Sequence, residues 1–153
     1  MTRNLSVLVV DDNPALRGIV STLLKAEGYA PSSVANGNEG LESLKRQPVD
    51  VILTDILMPQ KDGLEFIEEV RESLPFLPII AYSGGGTWLK EDYCLKAAKS
   101  LGANVTMRKP FGLQELLDAI HEAICPSEDE TRRLNQLFLA RHSPGHRSVR
   151  IPG

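Results

Sequence analysis

Between Leu5 and about Cys125, five short apolar runs rich in β-branched residues alternate with five segments of helical period. This alternation constrains the fold more than any other feature of the chain. The runs Leu5–Val10, Ala30–Val34, Val49–Thr54, Ile79–Tyr82 and Val105–Met107 read as strands. The first intervening segment carries Leu16, Ile19, Val20, Leu23 and Leu24 on one helical face. Asn13 or Asp12 stands where a cap is needed, Pro14 in the first turn and Gly28 just past the end. Leu41 and Leu44 mark a second helix, and Phe66, Ile67, Val70 and Leu74 a third. Ala97, Ala98 and Leu101 mark a fourth, and Leu113, Leu116, Leu117, Ile120 and Ile124 a fifth. Short connections and right-handed crossovers make such a series an α/β fold, a doubly wound five-stranded parallel sheet with helices on both faces. The nearly continuous apolar runs Val7–Val10 and Val49–Leu53 suit central strands covered on both sides.

Composition narrows the function. With 17 Lys and Arg against 20 Asp and Glu, the net charge is −3, which does not favour the phosphate contacts that dominate nucleic-acid affinity. Direct nucleic-acid binding is therefore not expected. Cys94 and Cys125 stand 31 residues apart without zinc-ligand spacing and read as reduced thiols. The N-terminus lacks a signal-peptide pattern, and no stretch is long and apolar enough to span a bilayer. A cytoplasmic protein without membrane association is expected.

Polar ligands of doubly wound sheets gather at the carboxyl ends of the strands, near the point where strand order reverses. Strand one runs into Asp11 and Asp12, strand three into Asp55, strand four into Ser83, and strand five through Arg108 into Lys109 and Pro110. Each has an ordinary structural explanation: a helix cap for Asp12, turn residues for Asp55 and Ser83, a solvated loop charge for Lys109. The set does not, because three carboxylates on one rim repel one another unless a cation lies between them. Oxygen ligands without His or Cys favour Mg²⁺ or Mn²⁺. Beside such an ion a carboxylate can attack phosphorus, with an ammonium and a hydroxyl on the phosphoryl oxygens. Asp55, on the central strand, is the expected nucleophile, with Lys109 as point charge and Ser83 as hydroxyl donor.

Four segments carry a resemblance: Asp11-Asp12 after Val-Leu-Val-Val; Thr54-Asp55-Ile-Leu-Met-Pro-Gln-Lys-Asp62-Gly63; Ser83 after Ile-Ile-Ala-Tyr; and Lys109-Pro110-Phe111, all in order on matching elements. Over about residues 4 to 125 the chain resembles the receiver domain of two-component response regulators, of the stand-alone, chemotaxis-receiver-like kind. The resemblance implies a flavodoxin-like (βα)5 fold and a phosphoryl group accepted by Asp55 from a histidine kinase or phosphotransfer protein. It further implies Mg²⁺ held by Asp12, Asp55 and the backbone carbonyl of Leu57, with Asp11 acting directly or through water. Ser83 and Lys109 would bind phosphoryl oxygens, and Lys109-Pro110 would be a cis bond. Met58-Pro59 and Asp62-Gly63 would shape the loop and start the third helix. At most slow autodephosphorylation, not enzymatic turnover, is implied.

The sequence departs from that family in two places. Thr106 stands where receivers commonly carry an aromatic ring that turns inward with the hydroxyl residue, so the switch pair Ser83 and Thr106 must be read out through loop and helix-four movement. The 25 residues between Ser83 and Lys109 include Gly84-Gly85-Gly86-Thr87-Trp88, a loop expected to be mobile. Without G-x-x-x-x-G-K-[ST], these glycines do not indicate a nucleotide site. Trp88 suits either helix packing or an output hot spot. Leu57 and Gly85 flank the approach of an attacking water, and an apolar Leu57 cannot orient one, so a long-lived phosphoryl group is expected.

Residues 1–125 read as the receiver and 126–153 as a C-terminal tail. The first part holds 12 basic and 17 acidic residues and the second 5 and 3, so the balance changes from −5 to +2. Ser127-Glu128-Asp129-Glu130 reads as a capping box, followed by Leu134, Leu137 and Phe138 at helical spacing. A helix over about 128–140 is expected to pack on its own receiver, ahead of a flexible basic end containing His142 and His146, too few for a metal site. Docking or homodimerisation through this helix is the alternative. Downstream, a protein target rather than DNA is expected. Two other functions compete: a degenerate receiver acting as a constitutive scaffold, and an aspartyl-phosphate phosphatase of the haloacid dehalogenase type. The intact acids, Ser83 and Lys109 oppose the first, and the missing Asp-x-Asp opposes the second.

Overall fold

A computed structural model describes residues 4–58, 61–84 and 86–142. Pro59, Gly85, the side chains of Trp88 and His142, and residues 143–153, including His146, lie outside the described residues. The expectations that rest on them lie outside too. Five strands form one parallel sheet: β1 (Ser6–Val10), β2 (Ala30–Val34), β3 (Val51–Asp55), β4 (Ile79–Ser83) and β5 (Val105–Arg108), in the order β2-β1-β3-β4-β5. The helices are α1 (Pro14–Ala26), α2 (Gly37–Arg46), α3 (Gly63–Ser73), α4 (Trp88–Leu101), α5 (Leu113–Ile124) and α6 (Glu128–His142). The flavodoxin-like doubly wound fold is thus as the sequence implies. No helix among the described residues is long and apolar enough to cross a membrane.

Strand alternation feeds two cores. Val7, Val9, Leu53, Ile80 and Tyr82 pack with Val20 and Leu24 of α1 and Leu116 and Ile120 of α5. Leu8, Val10, Ile52, Ile79 and Ala81 turn the other way, onto Phe66, Ile67 and Val70 of α3 and Leu95 and Ala98 of α4. Helix α1 is capped by Asn13 rather than Asp12; its Oδ1 accepts from the N–H groups of Ala15 (3.0 Å) and Leu16 (3.2 Å). That leaves the Asp12 side chain free of the capping duty.

Three strand ends lie one residue beyond expectation, at Asp55, Ser83 and Arg108. The parallel ladder explains the extension, because it pairs Asp55 with Tyr82 and Ser83 with Arg108. Both Asp55 and Ser83 are therefore held in the sheet itself rather than in a turn. β3 begins later than expected, at Val51, because Asp50 is occupied in accepting from the N–H and Oγ of Ser6 (2.8 and 3.1 Å).

Helix α6 packs against the receiver body at the amino end of the sheet. Leu134 is buried, and the rings of Phe138 and Phe76 lie 5.4 Å apart. Ser127 Oγ accepts from the Glu130 N–H at 3.2 Å, one half of the expected capping box. Glu130's carboxylate turns instead to Arg133, at 2.6 and 3.1 Å. Arg133 donates to the carbonyls of Lys99 (2.7 Å) and Ala103 (2.8 Å), and Arg141 to that of Leu101 (3.1 Å). Two guanidinium groups thus cap the carboxyl end of α4, where the helix dipole favours positive charge.

Candidate functional site

The strand order reverses between β1 and β3, and the carboxyl ends of these two strands bring the acids together. Carboxylate oxygens of Asp11, Asp12 and Asp55 all lie within 4.8 Å of one another; Asp11 and Asp55 are buried and Asp12 is exposed. Asp12 is thus the member of the cluster that is open to solvent.

Each member is held by its neighbours. Asp55 Oδ1 accepts from the Leu57 N–H at 3.3 Å, and Oδ2 from Lys109 Nζ at 3.2 Å. Lys109 Nζ stands 3.9 Å from Asp11 Oδ2. Burial raises the Asp55 carboxyl to about 6 against the pull of Lys109, with Asp11 adding to the rise. The Lys109-Pro110 bond is cis, as the resemblance implies. Gly84 runs so close to the lysine stem that a Cβ there would meet Lys109 Cβ at 2.5 Å. Gly63 starts α3 against the back of Asp55, and a Cβ there would overlap the Asp55 carbonyl oxygen and Ile56 Cα.

Ser83 is fully buried, and its Oγ has no hydrogen-bond partner among the described residues. Buried hydroxyls ordinarily have one, so this donor is set for a ligand that arrives beside Asp55. Together with the clustered acids it shows that the residues fit a hard divalent cation and an oxyanion: Asp11, Asp12 and Asp55 offer oxygen ligands, Ser83 and Lys109 donors. Thr106 is partly buried and pairs with Ala81 on the α3 and α4 face of the sheet.

Two further residues, with no role assigned from the sequence, make contacts at this edge of the sheet. Tyr82, fully buried, donates its hydroxyl to Asp11 Oδ2 at 2.5 Å. Burial, and then the Asp11 charge, hold that phenol protonated well above the ordinary tyrosine range. The signal was available, since a tyrosine in a strand covered on both faces needs a partner for its hydroxyl. Arg108 reaches across to Glu91 (3.4 Å) and Asp92 (3.1 Å) in the first turns of α4. No periodicity in the sequence marks that contact.

A doubly wound sheet with paired acids after β1, an acid closing β3, a hydroxyl closing β4 and a lysine after β5 defines the class of phospho-accepting receiver domains. The family model for the response regulator receiver domain matches residues 7–121. This chain belongs to that family. It is 33% identical over 121 residues to an NtrX-like response regulator of Rickettsia bellii, covering 78% of this chain and 24% of that protein. It is 32% identical over 139 residues to the transcriptional regulatory protein TrcR of Mycobacterium tuberculosis, covering 87% of this chain and 52% of that protein. The chain thus spans about a quarter to a half of the length of these relatives. Among solved structures, the chemotaxis protein CheY4 of Vibrio cholerae superposes with a TM-score of 0.71 at 31% identity, covering 79% of this chain and 99% of that one. Phosphorylation and Mg²⁺ binding are typical of the family, as is phosphorylation by histidine kinases or phosphotransfer proteins.

Proposed function

We propose that this chain is a phosphorylation switch in two-component signalling, with Asp55 as phospho-acceptor and residues 1–125 as a receiver that acts by itself. The observation that carries this reading is the buried Ser83 hydroxyl, without a hydrogen-bond partner among the described residues, at the end of the strand next to that of Asp55, together with the Lys109 ammonium on the Asp55 carboxylate. The phosphoryl donor is a phosphohistidine of a histidine kinase or phosphotransfer protein. An Asp55 carboxylate oxygen forms the new P–O bond while the P–N bond breaks and its electron pair leaves with the imidazole. Asp11, Asp12, Asp55 and the Leu57 carbonyl would hold Mg²⁺, or Mn²⁺, which when bound neutralises charge on the transferring group. Lys109, whose stem packs against Gly84, supplies a second positive charge, and Ser83 Oγ donates to a phosphoryl oxygen. Leu57 offers no group to orient water, which favours a long-lived phosphoryl group and supports reading the chain as a switch rather than a phosphatase.

Output passes to a protein target through the domain's own surface, with residues 126–153 as a tail and homodimerisation as an alternative form of contact. Ser83 is the element that senses phosphorylation. Thr106 supplies no ring to follow it, so the readout runs through α4, whose first turns are tied to β5 by Arg108. A cytoplasmic location fits this role.

Incubation with acetyl phosphate and Mg²⁺, followed by intact mass measurement, tests the assignment. One acid-stable, base-labile phosphoryl group is expected on the native protein and none on Asp55→Asn. Equal labelling of both would remove Asp55 as acceptor, and no labelling of either would favour a scaffold.

A further inference from the structure

We propose that Tyr82 is a positioning residue for the cation-binding carboxylate Asp11, and that its neutral hydroxyl keeps Lys109 on Asp55. This inference rests on the reading of the three acids as a Mg²⁺ site. Asp11 is completely buried and each of its oxygens has a donor: Oδ1 takes the Asn13 N–H at 2.8 Å, and Oδ2 the Tyr82 hydroxyl at 2.5 Å. Lys109 Nζ is the next donor, 3.9 Å from that same Oδ2 but 3.2 Å from Asp55 Oδ2. Two groups therefore compete for one oxygen, and the hydroxyl has the shorter contact.

The chemical difference between the two donors gives the arrangement its consequence. A hydroxyl donates to a buried carboxylate without bringing a positive charge to it, which leaves the oxygen's negative charge for a cation to use. An ammonium in the same place would neutralise Asp11 and draw the lysine away from the carboxylate that accepts the phosphoryl group. The tyrosine ring contributes as well. It lies edge-on to Phe111, centroids 5.3 Å apart, and Lys109 Nζ stands 5.2 Å from its centroid. One buried side chain thus fixes the direction of Asp11 through its oxygen and flanks Lys109 with its ring. Groups that hydrogen-bond to metal-binding carboxylates are typically worth 10–100-fold in metal affinity.

Tyr82→Phe keeps the ring and removes only the hydroxyl. With its donor lost, Asp11 Oδ2 becomes the partner for Lys109, and the site offers less negative charge to the cation. MgCl₂ titration of the ¹⁵N-labelled protein, followed at the Asn13 and Leu57 amides, reads this directly. The two amides report on Asp11 and Asp55 respectively. The expected result is a Mg²⁺ dissociation constant raised on the order of tenfold, with the Asn13 resonance displaced already in EDTA. Ile120→Val trims the same core cluster without touching Asp11 and serves as the control for a purely structural effect. It is expected to lower the unfolding temperature while leaving Mg²⁺ affinity unchanged. An affinity within twofold of the native value in Tyr82→Phe, or an equal loss in Ile120→Val, would overturn the assignment while leaving the metal site standing. Absence of Mg²⁺ binding by the native protein would overturn both.

Discussion

Asp55→Asn should stabilise the metal-free protein at neutral pH, even though it removes the proposed phospho-acceptor. Burial raises the Asp55 carboxyl from the ordinary 3.8 to about 6. The folded protein therefore holds a proton that the unfolded chain has released, and stability falls as pH rises from about 4 to about 6, then levels off. A difference of that size corresponds to about 3 kcal/mol at 1.36 kcal/mol for each tenfold change in proton affinity. Asn is the uncharged isostere and its carbonyl can still accept from the Leu57 N–H, so it avoids this cost at every pH. For a chain of this length the gap at pH 7.5 corresponds to about 6–12 °C in unfolding temperature. Thermal unfolding followed by circular dichroism in EDTA, from pH 4 to pH 8, measures it. The Asn variant is expected to lead at pH 7.5, with the gap closing towards pH 4. Mg²⁺ at ten times its dissociation constant should then raise the native protein by about 1.4 kcal/mol and the variant by much less. An Asn variant no more stable than the native protein at pH 7.5, or a gap independent of pH, would refute the electrostatic reasoning.

Ser83→Ala removes a buried hydroxyl that has no partner among the described residues, so the metal-free protein should gain up to about 1 kcal/mol in urea unfolding while acetyl phosphate labelling slows by roughly 10²-fold. Gly63→Ala forces a methyl group against the Asp55 carbonyl; unfolding should show a loss of about 1–3 kcal/mol, with weaker Mg²⁺ binding because the end of β3 has to shift. Arg133→Ala strips the donor from the Lys99 and Ala103 carbonyls and from Glu130; a loss of about 1–3 kcal/mol and faster proteolysis within α6 are expected, with labelling of Asp55 unchanged.

The sequence exposes those parts of the fold that depend on periodicity and on the ends of strands. Val7 through Val10, the helical face from Leu16 to Leu24, and the five motif positions are local patterns, and each strand delivers its final residue to the same rim. Arg71 is hidden for the opposite reason. Its place on α3 suggests a solvated charge, yet it is buried, because the carbonyls of Leu74, Leu77 and Gly102 and the side chain of Asn104 surround its guanidinium. Its partners in Gly102 and Asn104 lie more than thirty residues away, and no window of sequence brings them together. Tyr82 is similar: alternation places its ring in the core, but only the spacing between β1 and β4 across β3 determines that its oxygen meets Asp11. The docking of α6 was legible as an apolar stripe, whereas its arginine contacts depend on backbone carbonyls that carry no sequence signature.

The arginine caps on α4 have a mechanical consequence. Arg133 and Arg141 grip the helix through main-chain oxygens at its carboxyl end, whereas its first turns are tied to β5 through Arg108, a partly exposed side chain, to Glu91 and Asp92. Ion pairs of that kind exchange with water at little cost, while the loss of a main-chain cap leaves orphaned carbonyls. α4 is thus held by main-chain contacts at its end beside α6 and by more easily exchanged side-chain pairs at its first turns. Its 14 residues span about 21 Å, so a tilt of about 10° about the carboxyl end would move the first turn by about 3–4 Å.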